Sequence, residues 1–295
     1  MYIFSDLKDW FDIIYYSDIN DCRKIEINMK DINSIDIDRF CLEFSKYIVH
    51  LRCPIDEYTN KMLNSIDGKY TLTDGEKQFF INLFYTGFIS DSKFTTTNDY
   101  KKSFDNDSIK GYFGECLYYI IREQILEDEK KYIEPQVPKQ SSKVSGIDFI
   151  DIRKDSNGYY MIIGEVKTTS GHYTTRWGEI LDSFVNRTDK TFSEMYQFIK
   201  SCDDGNDPEY TVFLRDILDI FYSLKLTPSL QKRYAGVINY GFEGQPIGSN
   251  AFRSFKSKLV NKVYDNSICR RIKLVGVYNI DNIIELVRDN IWNNL

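Results

Sequence analysis

The stretch from Gly146 to Thr169 reads GIDFIDIRKDSNGYYMIIGEVKTT and joins two β-rich runs through a short polar centre. Asp-Ser-Asn-Gly between such runs predicts two strands connected by a tight turn. In the second run, Glu165 and Lys167 are charged although their neighbours are mostly apolar. Because a buried unpaired charge costs several kcal/mol, the pattern indicates that these side chains have partners or a function.

Helix and strand patterns alternate around this hairpin. Residues 109–127 have helical spacing, and the side predicted to be buried comprises Phe113, Leu117, Ile120, Ile121 and Ile125. Later patterns are helical at 177–201, basic and helical near 249–263, helical at 281–292, and strand-like at 233–242 and 271–280. This order predicts an α/β (α+β) fold with a mixed central sheet flanked by helices.

The first 100 residues have a different organisation. Two runs are β-like, KIEINM and KYTLT, and two are helix-like, at 36–53 and 74–88. A polar stretch follows, SDSKFTTTNDYKKSFDNDS, and is typical of a linker or long loop. We therefore predict an N-terminal mixed α/β region, residues 1–100, followed by a second unit, residues 101–295.

Charge is distributed unevenly along the chain. The 295 residues have a net charge of −6, which argues against a protein that coats DNA through bulk electrostatics. Residues 1–100 hold 17 acidic and 11 basic side chains, whereas residues 225–273 hold ten basic and two acidic ones. A polyanion is therefore expected to meet the C-terminal half, although a solvated basic helix is the alternative explanation.

Composition excludes several classes of protein. No apolar run reaches the roughly 18 residues needed to span a bilayer, and the first residues are acidic where a signal peptide would be basic. We therefore expect a cytoplasmic protein without membrane association. The six cysteines form no Cys-x-x-Cys pair and there are two histidines, so zinc is not expected. Oxygen ligands would favour magnesium, manganese or calcium.

Three charges in the hairpin form a candidate site. Glu165 and Lys167 project from the same face of a strand, roughly 6.5 to 7 Å apart along the backbone. Asp148 interrupts the first strand, and strand pairing would bring its carboxylate close to that of Glu165. Two close carboxylates suit a hard cation such as Mg²⁺, and an adjacent lysine suits hydrolysis of a phosphodiester.

Context separates this site from chance matches. The acid-x-lysine triplet occurs at least seven times in the chain, but only at Glu165 is it inside an apolar, β-branched run. A structural Glu165–Lys167 ion pair is the alternative. Glu115, on the preceding helix and next to Gly114, is a further candidate, because that glycine would let the helix approach the sheet or a ligand. Its alternative is an ordinary glutamate at a helix border.

These residues resemble the signature of the PD-(D/E)xK nuclease superfamily, the restriction-endonuclease-like fold. The resemblance covers about residues 105–290. It implies that Asp148 and Glu165 bind metal, Mg²⁺ or Mn²⁺, that Lys167 assists the water or the phosphate, and that Glu115 completes the acidic cluster. It also makes residues 101–295 a nuclease domain.

The chain departs from the superfamily pattern at two points. Ile147 precedes Asp148 where proline is common, a change that costs little. No Gln-x-x-x-Tyr motif starts at Gln197, because position 201 is serine, so the RecB-like exonuclease branch is not supported.

The chain is similar, more narrowly, to HamA, the nuclease subunit of the Hachiman anti-phage defence system. This resemblance rests on three short motifs, GYFGE, GID and GEVKT, which follow an acidic N-terminal region of about 100 residues. It implies a DNA substrate and a helicase partner, with the N-terminal region as a regulatory or partner-binding layer.

Other functions fit parts of the same pattern. A type II restriction endonuclease is the alternative within the nuclease class, and a fixed cleavage site would distinguish it. A non-catalytic nucleic-acid or protein-binding module would keep the fold without the chemistry, and a scaffold protein would use the charges as a salt bridge. We assign possible substrate contacts to four basic residues: Arg176, His172, Lys256 and Lys258.

Overall fold

In the computed structural model of the chain, the described residues are 4–16, 22–31, 33, 35–53, 55–88, 107–124, 148–155, 158–185, 208–209, 211–212, 215, 231–249, 252 and 269–295. They include six β-strands and six α-helices. The strands are β1 (Phe11–Tyr16), β2 (Cys22–Met29), β3 (Phe149–Asp155), β4 (Gly158–Thr168), β5 (Gln231–Gly241) and β6 (Cys269–Val277). The helices are α1 (Ile37–Arg52), α2 (Asp56–Ile66), α3 (Asp74–Phe88), α4 (Asp107–Gln124), α5 (Trp177–Val185) and α6 (Ile280–Trp292).

The six strands form one mixed sheet in the order β1-β2-β6-β5-β4-β3. The outer pairs, β1 with β2 and β3 with β4, are antiparallel, and the four inner strands are parallel. The predicted mixed central sheet flanked by helices is confirmed. Strand β2 pairs with β6, so the N-terminal region continues the sheet that holds the candidate hairpin.

One face of the sheet, called here the first face, is covered by α1, α3, α4 and α6. Its core draws on both ends of the chain, since Phe44 of α1 lies 5.1 Å from Phe113 of α4 between ring centroids. Ser45 donates a hydrogen bond of 3.1 Å to the carbonyl of Val287 in α6. Burial of these apolar surfaces is the main force that holds the N-terminal helices on the sheet.

The opposite, second face has a smaller apolar cluster under α5. Ile238, Tyr240, Ile272 and Leu274 project from β5 and β6 into this cluster, together with Trp177 of α5. Alternation along the strands separates the two clusters, because neighbouring residues point to opposite faces. Glu165 and Lys167 lie on the second face, and Val166 and Thr168 on the first.

Local sequence patterns placed most of the second unit correctly. The hairpin, the helix that starts near 109, both later strands and the closing helix are confirmed, and Phe113, Leu117, Ile120 and Ile121 are fully buried. Ile125 and most of the predicted basic helix lie outside the described residues. So does the predicted boundary near residue 100, and the division into 1–100 and 101–295 stays a prediction.

The prediction of a strand in KYTLT, residues 69–73, was wrong. These residues connect α2 to α3, and the backbone amides of Lys69 and Tyr70 donate to the carbonyl of Asn64 at the end of α2. Leu72 is buried, but the segment has no partner strand in the six-stranded sheet. Strand β1 and helix α2 had not been predicted.

Among the described residues, no helix is both long enough and apolar enough to cross a bilayer.

Candidate active site

The β3–β4 hairpin brings Asp148 beside Glu165. Phe149 pairs with Gly164, and its ring packs on the first face where a Cβ on Gly164 would lie 1.7 Å from it. Alternation therefore puts Asp148 on the second face, with Glu165. Its carboxylate Oδ2 accepts a hydrogen bond of 2.7 Å from the backbone N–H of Val166. Asp148 therefore lies directly before β3 and not within it, and the strand pairing predicted from the turn sets it next to Glu165 of β4.

Glu165 and Lys167 form an ion pair on the second face. The Lys167 Nζ and Glu165 Oε1 atoms are 2.7 Å apart, and the glutamate side chain is 10% exposed and the lysine 28%. Burial acts to lower the pKa of Lys167, but the charges of Glu165, Asp148 and Glu179 outweigh burial and raise it. Lys167 is therefore a cation at neutral pH, paired with Glu165 and stabilised by the charges of Asp148 and Glu179.

Another acid of the hairpin, Asp151, belongs to the core. It lies on the first face, 5% exposed, and its carboxylate forms an ion pair with Arg122 of α4. The guanidinium of Arg122 also lies over the ring of Phe149, 4.8 Å from its centroid. This buried pair joins α4 to the hairpin and so supports β3, the strand that begins directly after Asp148.

Glu115 lies on α4, which packs on the face of the sheet opposite the acid–lysine pair. The neighbouring Gly114 packs so closely on the first face that a Cβ would lie 2.0 Å from Thr168 Oγ1 and 2.4 Å from Asn239 Nδ2. The predicted close approach at this glycine is confirmed. The structure brings Asp148, Glu165 and Lys167 together. Glu115 belongs to the helix on the other face, and its predicted role at a metal stays a prediction.

Sequence patterns missed Glu179, in the first turn of α5. Its charge contributes to the raised pKa of Lys167, and its Oε1 lies 2.5 Å from Nη1 of Arg176. The available signal was its position on the helix directly after the strand that carries Glu165 and Lys167. Arg176, predicted to contact substrate, is thus paired with Glu179 where the chain passes from β4 into α5.

Of the other three predicted substrate contacts, only His172 is among the described residues. His172 is exposed on the loop after β4, and its Nδ1 accepts from the backbone N–H of Thr174, capping the short turn Tyr173–Arg176. A substrate role for His172 stays a prediction. Lys256 and Lys258 lie outside the described residues.

Ligand chemistry at the hairpin fits a hard cation. Asp148 and Glu165 offer carboxylate oxygens, and Mg²⁺ is commonly held by one or two carboxylates plus water and substrate phosphates. No group of three or more acidic, histidine or cysteine side chains among the described residues is arranged to hold a metal. Metal binding by Asp148, Glu165 and Glu115 therefore remains a prediction.

Comparison with known proteins assigns the family. The HamA family model matches residues 5–291, nearly the whole chain. The chain belongs to the HamA family. This membership relates it to the Hachiman defence system and agrees with the resemblance carried by GYFGE, GID and GEVKT. No curated protein matches the chain.

Proposed function

We propose that the protein is a metal-dependent DNA nuclease that hydrolyses phosphodiester bonds as an anti-phage defence effector. The observation that carries this proposal is the position of Asp148, Glu165 and Lys167 on one face of the β3–β4 hairpin. Two acids and a lysine in this order are the signature that the PD-(D/E)xK nucleases use for the same chemistry. HamA membership supports the defence role.

Asp148 and Glu165 would hold a divalent cation, Mg²⁺ or Mn²⁺, through their carboxylate oxygens. Such an ion, when bound, polarises a phosphoryl oxygen and lowers the pKa of water. The rigid strand pair keeps both carboxylates on one side of the sheet, so little reorganisation is needed to bind the ion. This preorganisation is the main contribution of the fold to the proposed chemistry.

Lys167 acts as a fixed positive charge in this proposal. Its raised pKa leaves it protonated at neutral pH, so it donates hydrogen bonds and does not accept a proton. A cation at this position offsets the negative charge that develops on the phosphoryl oxygens during attack. Its Nζ, which now contacts Glu165, would donate to a substrate phosphate.

DNA and a helicase are the proposed partners. Ten basic residues between 225 and 273 against two acidic ones favour a polyanion near the carboxyl half of the chain. The helicase partner rests on the HamA family alone. It would engage the N-terminal region, whose strands join the same sheet as the site.

The test is cleavage of plasmid DNA with Mg²⁺ by the protein, alone and with any helicase encoded beside it. EDTA and the variants Glu165→Ala and Lys167→Ala should each abolish cutting. Lys46→Ala is the matched control, because it removes a lysine that is also partly buried and ion-paired, with Asp67 of the N-terminal region. Cleavage by both site variants at the wild-type rate would contradict the proposal.

The same assay separates the alternatives. Recurring product ends would identify a type II restriction endonuclease. DNA binding without cleavage under every condition, with the helicase present, would identify a non-catalytic module on the nuclease fold.

A further inference from the structure

A buried carboxylate on β2 joins three segments of the second face. Glu26 is fully buried, and its Oε1 accepts from the Ile247 amide at 2.7 Å and from Asn28 Nδ2 at 2.8 Å. Its Oε2 accepts from the Tyr16 hydroxyl at 2.7 Å and from the Gly248 amide at 3.2 Å. Four donors compensate the cost of burying this charge and tie the loop after β5 to β1 and β2.

Glu26 lies in the same row across the sheet as Lys167. The register pairs Glu26 with Leu274, Leu274 with Ile238, and Ile238 with Lys167. All four side chains are on the second face, and three strand spacings put the ends of the row about 14 Å apart. An apolar ridge from β6 and β5 therefore separates the Glu26 cluster from the candidate active site.

A second row of residues across the sheet connects the Glu26 cluster to the loop that follows β4. Asn28, Gly276 and Tyr240 are neighbours across β2, β6 and β5. Because Gly276 has no side chain, the Tyr240 hydroxyl reaches over it and donates to Asn28 Oδ1 at 3.1 Å. A Cβ on Gly276 would lie 2.5 Å from that oxygen. Tyr240 then packs edge-on against Tyr173, 5.7 Å between centroids, in the loop that follows β4.

The end of β5, where the loop 242–249 begins, also borders the loop after β4 through the backbone. The Gly241 amide donates to the Gly171 carbonyl at 3.3 Å, and a Cβ on Gly241 would lie 2.4 Å from the carbonyl oxygen of Ser170. Gly244 and Gly248 have φ values of +88° and +73°, a region that favours glycine. The loop therefore follows one specific path between Glu26 and the end of the site strand.

We propose that Glu26 is a positioning residue for the candidate active site. It fixes residues 242–249, and through them and Tyr240 it holds the 169–176 loop and the start of α5, which directly follow the strand of Lys167 and carry the Arg176–Glu179 ion pair. The proposed nuclease function is assumed here. The N-terminal region would thereby contribute to the geometry of the site as well as to the sheet.

The test uses the full chain and any helicase it requires, with Glu26→Gln, which keeps the size of the side chain but removes one acceptor oxygen. Hydrogen exchange should quicken about tenfold or more at 242–249 and at 169–176. Single-turnover cleavage should slow about 10- to 100-fold, with a much smaller change in KM, because positioning of the reacting groups is lost and substrate contacts remain. Glu26→Asp should recover part of the rate.

Glu43→Gln is the matched control. Glu43 is another N-terminal carboxylate with polar partners, Ser5 and Arg39, but it lies on α1 and outside the second face. It should change neither exchange at 169–176 nor cleavage. If Glu26→Gln does not fold, Tyr240→Phe removes the Asn28 hydrogen bond alone and should still quicken exchange at 169–176.

The outcomes separate this proposal from the nuclease function. Exchange at 169–176 equal to wild type in the variants overturns the positioning role, whether or not the protein cleaves DNA. Faster exchange with wild-type cleavage also overturns it. A wild-type protein that never cleaves contradicts the nuclease function, and exchange at 169–176 then decides alone whether Glu26 positions that loop.

Discussion

At the scale of single residues, Gly114 determines how closely α4 can approach the sheet. Thr168 and Asn239 occupy the space that any larger residue would need, and both are buried, short side chains with little freedom to move. Their own hydrogen bond, 3.2 Å from Asn239 Nδ2 to Thr168 Oγ1, restricts them further. The helix that carries Glu115 is therefore in contact with the end of the strand that carries Glu165 and Lys167.

Gly114→Ala should destabilise the protein by about 1–3 kcal/mol, because one added methyl group overpacks this contact. Gly75→Ala in α3 is the control, since a Cβ there meets no atom within 4 Å. It should leave the free energy of unfolding unchanged or raise it by up to about 1 kcal/mol. Urea denaturation measures both, and equal stability of the two variants would contradict the close approach.

The candidate site was predictable to the extent that its residues lie in one local pattern. Asp148, Glu165 and Lys167 belong to a single hairpin, whose turn chemistry and alternation determine which side chains meet. Glu179 and Glu26 were not predictable in this way. Their relation to Lys167 depends on packing of α5 and on the β2–β6 pairing, which no local pattern encodes.

At the scale of elements, α3 begins with a capping box. Thr73 N donates to Glu76 Oε2 at 2.9 Å, and Glu76 N donates to Thr73 Oγ1 at 3.4 Å. Two hydrogen bonds lower the pKa of Glu76 to about 2, first that from the Thr73 backbone amide and second that from the Lys61 side chain. This carboxylate therefore stabilises the folded state above its unfolded pKa of about 4.3, and the stabilisation is lost as pH falls towards about 2.

Glu76→Gln should lower the melting temperature by a few degrees at pH 7, and the gap from wild type should narrow between pH 5 and pH 2. Glu57→Gln removes the other carboxylate that contacts Lys61, one that is 73% exposed, and should have little effect at any pH. Thermal unfolding followed by circular dichroism gives both comparisons. A gap for Glu76→Gln that stays constant with pH would show that its charge contributes nothing.

Elements with strong periodic patterns were predicted correctly, and those without were not. Helix α2 has few buried residues, Thr59, Met62 and Ser65, and no side-chain cap at its start, so its apolar periodicity is weak. Strand β1 is at the sheet edge and is only partly buried. In KYTLT the residues have β propensity, but the adjacent capping box and the end of α2 use its backbone instead.

At the scale of the whole molecule, one sheet extends from the N-terminal strands to the candidate site. Strand β2 forms a parallel ladder with β6 from Cys22 to Asn28, and α1 packs on α6. The paired residues are about 250 positions apart, and pairing over that distance has no local sequence pattern. The sequence therefore did not predict that the regions before and after residue 100 share one sheet. Removing the N-terminal region would expose an edge of β6 and the apolar first face.

A fragment of residues 101–295 should therefore lack a cooperative thermal transition. Its near-ultraviolet circular dichroism should be weak relative to the full chain, because the aromatic core loses the packing of α1. Full-length protein in the same buffer is the control. A fragment that unfolds cooperatively would show that the later strands form an independent core.

The proposed nuclease function requires Asp148 in the hydrolytic site. Asp151 is the internal comparison, since it is three residues further along the same hairpin, on the opposite face and paired with Arg122. Single-turnover cleavage of DNA and urea denaturation of Asp148→Asn and Asp151→Asn together test this requirement. Asp148→Asn should abolish cleavage and retain stability. Asp151→Asn should retain cleavage where it is folded and lose about 3–5 kcal/mol of stability, because Arg122 is left buried without its carboxylate. Cleavage by folded Asp148→Asn at the wild-type rate would contradict the account.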